Sequence, residues 1–347
     1  MNQFDYTRAS SMAEAIAAWR PGSAYLGGGT NLVDLMKTGA IRPEKLIDIN
    51  RLPGLDLIET RHDGGVRIGA LVKNADLAHV PAFARSFPMV AEALLAGASG
   101  QLRNAATIGG NLSQRTRCPY FQDPHSPCAR RDPGAGCGAR GGENANHAIL
   151  GWSENCIAVN PSDFAVALAA LGAVIETHGP NGARELPFAD FYRLPGETPH
   201  KETALEDGEL IVAVRLPAQA AALRSNARYL KIRERTSFAF ALVSAAAALR
   251  LEGGRIAEAR LALGGVAAKP WRVPAAEAAM VGQAPGPDLF TAATVILLEG
   301  ARPSGENAHK IELARRTAIR ALSMAAAGTP ARMPALPASP FGGPVYA

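Results

Sequence analysis

The chain has no cysteine outside residues 118–156, no C-x-x-C pair, few aromatic residues (6%) and no long apolar run. Each absence excludes something. No apolar run approaches the ~18 residues that a membrane-spanning helix needs. No glycine loop ends in Gly-Lys-Ser/Thr, so there is no P-loop. Leu32 stands where a Rossmann G-x-G-x-x-G turn would need a small residue. The formal charge of +5 is mild and mostly dispersed, and no nucleic-acid recognition motif accompanies it. No nucleophile and base are arranged for bond-making chemistry, which leaves redox or binding work to a cofactor. The start carries no secretory apolar region, and Arg8 stands alone rather than in a twin-arginine pair.

What is present is concentrated. Cys118, Cys128, Cys137 and Cys156 fall within one Gly-, Pro- and Arg-rich segment, residues 113–156, in which no helical or strand period is readable before His147. Ordered loops of that length inside a compact domain are usually functional. Four thiolates complete either a zinc site or an iron–sulfur cluster. The C-x9-C-x8-C-x18-C spacing lacks the close pairs of zinc knuckles and suits a loop wrapped around a larger object. Disulfides, favoured in small secreted domains, are the third reading. His125 and His147 lie in the same loop as surface candidates. Arg115, Arg117, Arg130, Arg131 and Arg140 either screen a thiolate-bound cluster, dock an acidic partner or are simply solvated.

At 347 residues the chain exceeds the ~250–300 at which a single core stops growing, so two or three domains are expected. Residues 11–19, 88–97, 163–173, 273–281, 286–300 and 307–327 read as helices, and Asn74 as a helix N-cap. Residues 45–49, 66–69, 157–159, 173–179, 209–216 and 229–235 read as strands, followed by an apolar run over 238–251 and a further patterned stretch at 256–264. Polar and small residues at 217–226 mark a boundary. The Pro- and Gly-rich end is expected to form an extended tail.

Two glycine turns remain. Leu26-Gly27-Gly28-Gly29-Thr30-Asn31-Leu32 lies between a strand and a helix, and Thr107-Ile108-Gly109-Gly110-Asn111 is a second turn of the same kind. Small residues let backbone N–H groups approach a phosphate, and a helix start adds partial positive charge. A tight turn is the plain alternative for either one alone; together they could grip a dinucleotide from both sides.

LGGGTNLVDLMK, RNAATIGGNL and PSDFAVALAALGA, in that order, resemble the flavin-binding subunits of the molybdenum hydroxylases over about residues 2–330. The cysteine insertion after the second turn, with RTRCPYF, GENANHAILG and YLKIRERTSFAFALVSAAAAL, is most similar to the iron–sulfur flavoprotein subunit of periplasmic aldehyde oxidoreductases. The resemblance implies an α+β fold with a two-lobed FAD-binding domain of the xanthine dehydrogenase/vanillyl-alcohol oxidase type, not Rossmann, and a C-terminal α/β domain. Lobes at 1–60 and 61–222, a C-terminal unit at 226–330 and a tail at 331–347 follow.

The same resemblance implies FAD held by Leu26, Gly27, Gly28, Gly29, Thr30, Asn31 and Leu32 on one side and by Thr107, Gly110 and Asn111 on the other. Asp163 matches an acidic residue near the cofactor ribose, and Lys231 a lysine near the flavin. The chain departs from the family at SFAFA (237–241), where many relatives carry an acidic residue. Cys118, Cys128, Cys137 and Cys156 are implied as ligands of a [4Fe–4S] cluster. The expected partners are a large subunit with the molybdenum cofactor and a small one with [2Fe–2S] clusters, in a heterotrimer that passes electrons from an aldehyde to an external acceptor. Export to the periplasm would follow a partner's signal. The competing readings are a 4-hydroxybenzoyl-CoA reductase β subunit and a non-redox, zinc-stapled nucleotide-binding module.

Overall fold

The computed structural model describes residues 1–331, and the tail expected at 331–347 lies outside them apart from Ala331. Three sheets organise the described residues. Strands β1 (Asp5–Arg8), β2 (Ser23–Leu26) and β3 (Lys45–Asp48) form a parallel sheet in the order β1-β3-β2. Its central strand buries Leu46 and Ile47, as a strand covered on both faces must. The triple-glycine turn leaves β2 and enters the helix Leu32–Thr38, which ends on Gly39 in the left-handed conformation (φ 78°), the usual glycine stop.

The second sheet is antiparallel. It holds β4 (Ile58–Thr60), β5 (Val66–Gly69), β6 (Val174–Gly179), β7 (Gly182–Pro187) and β8 (Leu210–Leu216), in the order β4-β5-β8-β6-β7. Strand β6 alternates half-exposed and buried residues, the period-2 pattern of a sheet with one solvated face. Between β5 and β6 come the helices Pro88–Ala96, Ile108–Leu112 and Asp163–Leu171, and the cysteine loop.

After two short helical turns at 218–226, the third sheet begins. It consists of β9 (Ala227–Ile232), β10 (Val243–Glu252), β11 (Arg255–Gly264) and β12 (Trp271–Arg272), antiparallel in the order β12-β11-β10-β9. The alanines of β10 explain themselves here. Ala246 and Ala248 enter the core shared with the helices Pro88–Ala96 and Asp163–Leu171, while Ala245 and Ala247 enter the core under the helix His309–Ala326. A strand covered on both faces needs small side chains, and packing overrides alanine's weak strand preference. The sheet is fastened to the N-terminal part of the chain by a buried ion pair, Arg228 Nε to Glu92 Oε1 at 3.0 Å, and Tyr229 N donates to the same carboxylate at 2.7 Å.

Two local expectations need correction. Residues 157–159 form no strand: Ala148 N donates to Ile157 O, and Thr116 Oγ1 to Val159 O, so separate segments anchor this stretch and no single neighbour makes a ladder. Asn74 does not cap its helix, which begins at Asn74 with Lys73 in the cap position; Lys73 is drawn into a bridge with Thr107. The apolar run at 238–251 divides in two. Phe238 sits at positive φ (48°) with its ring exposed, and the strand starts only at Val243.

Candidate cofactor-binding site

The two glycine turns meet. Thr107 Oγ1 accepts a hydrogen bond from Gly110 N at 3.1 Å, and a Cβ on Gly27 would press against the same oxygen. A Cβ on Gly28 would collide with the Ala105 carbonyl oxygen, and Gly29 lies at φ 71°. Space at the first position and backbone conformation at the second therefore demand glycine. Asn50 pins the first turn from below, its Nδ2 donating to Gly27 O at 2.9 Å. Asp48 holds Asn50 in turn, accepting from its side chain and its backbone, both at 2.9 Å. Burial pushes the Asp48 carboxyl up, but hydrogen bonds from Tyr6, Asn50 and Arg8 outweigh it and hold its pKa down at about 2.

Gly27 to Leu32, Thr107 and Gly110 line one cleft with about 1890 Å³ of atom-free space. Among the described residues, no acceptor faces the N–H groups of Gly28, Gly29, Thr30 and Asn31. Asn31 Oδ1 is occupied by Arg115 N at 2.9 Å, whereas its buried Nδ2 has no partner among the described residues. Buried donors without acceptors are rare in folded proteins and call for an acceptor. Arg42 and His200 also border the cleft. Open amides, an unpaired amide nitrogen and the nearby guanidinium of Arg42 form an anion cradle.

Asp163 and Lys231 lie off this lining and are paired with each other, Lys231 Nζ to Asp163 Oδ2 at 2.8 Å. Tyr229 Oη donates to the other carboxylate oxygen at 2.6 Å. Ser162, not Asp163, caps the helix Asp163–Leu171, accepting from Ala165 N at 3.0 Å. The Ser162 hydroxyl donates to Asn111 Oδ1 at 2.7 Å, which ties the helix to the second glycine turn. Leu26 and Asn111 also stand behind the lining rather than on it.

All four cysteines border a second, smaller cavity. The loop reaches it by several local devices. Cys118 precedes the short helix Pro119–Gln122. Cys128 and Cys137 pair across a small antiparallel ribbon, and Cys156 pairs with Ser153. All four are free thiols. Among the described residues, no three His, Cys, Asp or Glu side chains converge on a point where one metal ion could sit. A lone zinc ion with bonds of about 2.3 Å to sulfur demands such convergence. Burial pushes the Cys118 thiol up to about 12, with the charges of Cys128 and Cys156 adding to it. Thiolates gathered here need positive charge to offset them.

The loop arginines have separate fates. Arg131 donates to the carbonyls of Tyr120, Phe121 and Asp123, Arg117 pairs with Asp34, and Arg140 pairs with Glu154. Buried Arg130 reaches Cys156 Sγ at 3.5 Å. Phe121 and Arg130 border both cavities and so form their common wall. His125 is exposed, but His147 is buried with Nε2 at 3.2 Å from Cys118 Sγ. Burial, helped by Lys310, lowers the His147 pKa. Lys310 anchors the loop from behind, donating to Asn146 O, His147 O and Gly265 O at 2.6–2.9 Å.

Residues 2–219 match the family described as FAD binding domain in molybdopterin dehydrogenase, and residues 228–326 match the CO dehydrogenase flavoprotein C-terminal domain. The chain belongs to the FAD-binding subunits of the molybdenum hydroxylases. It is 51% identical to the aldehyde oxidoreductase FAD-binding subunit PaoB of Escherichia coli, over 94% of this chain and 99% of that one. With the carbon monoxide dehydrogenase medium chain of Afipia carboxidovorans it shares 29% identity over 81% of each. The solved structure of reconstituted CO dehydrogenase from Oligotropha carboxidovorans superposes with a TM-score of 0.75 at 26% identity, covering 94% of this chain and 99% of that one. An α+β FAD-binding fold with a CO-dehydrogenase-type C-terminal domain is therefore established. A non-redox nucleotide-binding module is ruled out, because the FAD-binding subunit belongs to an oxidoreductase family.

Asn50, Asp48, Arg130, Glu202, His147 and Lys310 complete the surroundings of the two cavities. Of these only Arg130 and His147 carried a sequence signal, through their place in the loop. Glu202 is remote from every motif.

Proposed function

We propose that this FAD-binding subunit serves a heterotrimeric, molybdenum-containing aldehyde oxidoreductase. It would take electrons from the [2Fe–2S] centres of a small partner, fed by a molybdenum cofactor in a large partner, and deliver them through FAD to an external acceptor. The observation that carries this reading is the 51% identity, over nearly the whole of both chains, to a subunit named for aldehyde oxidation. Bound FAD supplies the step between one- and two-electron chemistry. The open amides of Gly28 to Asn31, the unpaired Asn31 Nδ2 and the Thr107–Gly110 turn fit its pyrophosphate. Asp163 and Lys231 would support the flavin end as a buried pair, with Ser162 bonded to Asn111 to keep their wall in register with the second turn.

Cys118, Cys128, Cys137 and Cys156 would hold a [4Fe–4S] cluster. Four thiols around one small apolar cavity with a buried guanidinium at its edge fit a polynuclear cluster, whose iron supplies the positive charge that the thiolates need. No helix among the described residues is long and apolar enough to cross a membrane. The complex would reach the periplasm on a partner's export signal.

An anaerobic visible spectrum with iron, sulfide and flavin assays tests the cofactor set. Flavin bands over a broad brown absorbance, with about four irons per FAD, are expected. A yellow protein free of iron would remove the cluster, and a colourless one would remove both. Aldehyde oxidation by the co-purified complex tests the substrate class. Reduction of 4-hydroxybenzoyl-CoA without aldehyde turnover would give the chain to the other reaction.

A further inference from the structure

Arg130 is a buried charge on the wall shared by the two cavities. Its side chain is 5% exposed. One terminal nitrogen lies 3.5 Å from Cys156 Sγ, the other lies 2.6 Å from Glu202 Oε2, and its buried Nε has no partner among the described residues. Glu202 also pairs with Arg115, whose guanidinium lies 4.8 Å over the Phe121 ring and whose backbone N–H donates to Asn31. Two guanidiniums and one carboxylate thus sit together at the wall shared by the two cavities, with Arg115 also bordering the glycine cleft. Their net charge is one positive unit, because burial raises the Glu202 pKa less than Arg130 and Arg115 lower it.

We infer that Arg130, held in place by Glu202 and Arg115, positions the Cys156 sulfur and sets the reduction potential of the cluster. The inference rests on the cluster reading above. A positive charge and an N–H donor at a ligand sulfur favour the form carrying the extra electron, so they raise the potential. The carboxylate between the two arginines offsets part of that effect. The two signs make the inference testable.

The measurement is a redox titration of the reduced cluster's EPR signal, alongside iron and FAD content, in the full chain purified with its accompanying subunits. Arg130→Gln removes a positive charge and should shift the midpoint downward. Glu202→Gln removes the negative one and should shift it upward. Arg115→Gln, one step further from the sulfur, should shift it downward by less. Should Arg130→Gln fail to retain iron, the opposite signs of the other two variants still decide. Iron-replete variants with an unmoved midpoint, or with shifts of one common sign, would overturn the inference. A wild-type protein without iron would instead sink the cluster reading itself.

Discussion

The glycine cleft and the cysteine cavity lie on opposite sides of Phe121 and Arg130, yet they work by contrary means. The cleft offers main-chain N–H groups and keeps side chains out of the way, so what matters at Gly28 is the absence of a Cβ beside Ala105. The cavity offers side chains and buries them, so what matters at Cys118, Cys128, Cys137 and Cys156 is the sulfur itself. Backbone recognition tolerates no added bulk but asks little of side-chain chemistry. The thiolate ligation proposed for the cavity would tolerate varied backbone, a short helix, a ribbon and a turn, but no change of ligand atom. Their supports differ to match. The glycine turn is held from nearby strands by Asp48 and Asn50, while Lys310 and Asn307 hold the loop from the C-terminal domain.

That contrast can be broken on either side. Replacing any one of the four cysteines by serine should give the largest effect, loss of most iron with FAD content intact, read by metal and flavin assays on the same sample. Equal iron in all four variants would return the cavity to an open question. Gly28→Ala should do the converse. The collision with the Ala105 carbonyl should cost about 1–3 kcal/mol as overpacking, which at ~1.4 kcal/mol per decade is roughly fivefold to a hundredfold in FAD affinity, with iron retained.

Lys310→Met removes the donor shared by three buried carbonyls and should destabilise the fold by about 1–3 kcal/mol, measured by urea unfolding, with iron falling before FAD. The same lysine gives a pH signature. Burial lowers its pKa to about 7, so between about pH 7 and the unfolded lysine value of ~10.4 the unfolded chain binds the extra proton. Stability should therefore rise with pH across that window and be insensitive to this group below it, and the rise should be absent in Lys310→Met. The smallest effect is expected for Thr107→Val, which loses the cap on Gly110 N. About 1 kcal/mol corresponds to roughly a fivefold weaker hold on FAD, checked by flavin retention on dilution.

Much of the cleft was legible because its chemistry is local. A run of three glycines after a strand allows few conformations, and each of Gly27 to Leu32 lines the cleft where the sequence placed it. Asp163 and Lys231 were legible as polar residues at ordered positions, but not as partners of each other, since 68 residues separate them. The helices were legible from their period, although the predicted cap, Asn74, proved to be a helical residue. The strand β10 was not, because an all-apolar run has no period until two cores divide its alanines between them.

The sequence by itself determined the chemistry available: four thiols confined to one loop, two turns with too little side chain to block a phosphate, and no side-chain set for bond making. These follow from residue identity and from contacts within a few positions along the chain. Only the tertiary structure decided what those groups face. It brought the four cysteines to one cavity, set that cavity against the cleft, and placed Glu202 between Arg115 and Arg130. Such contacts join segments remote in sequence, and the docking of whole elements fixes them in a way no local spacing encodes.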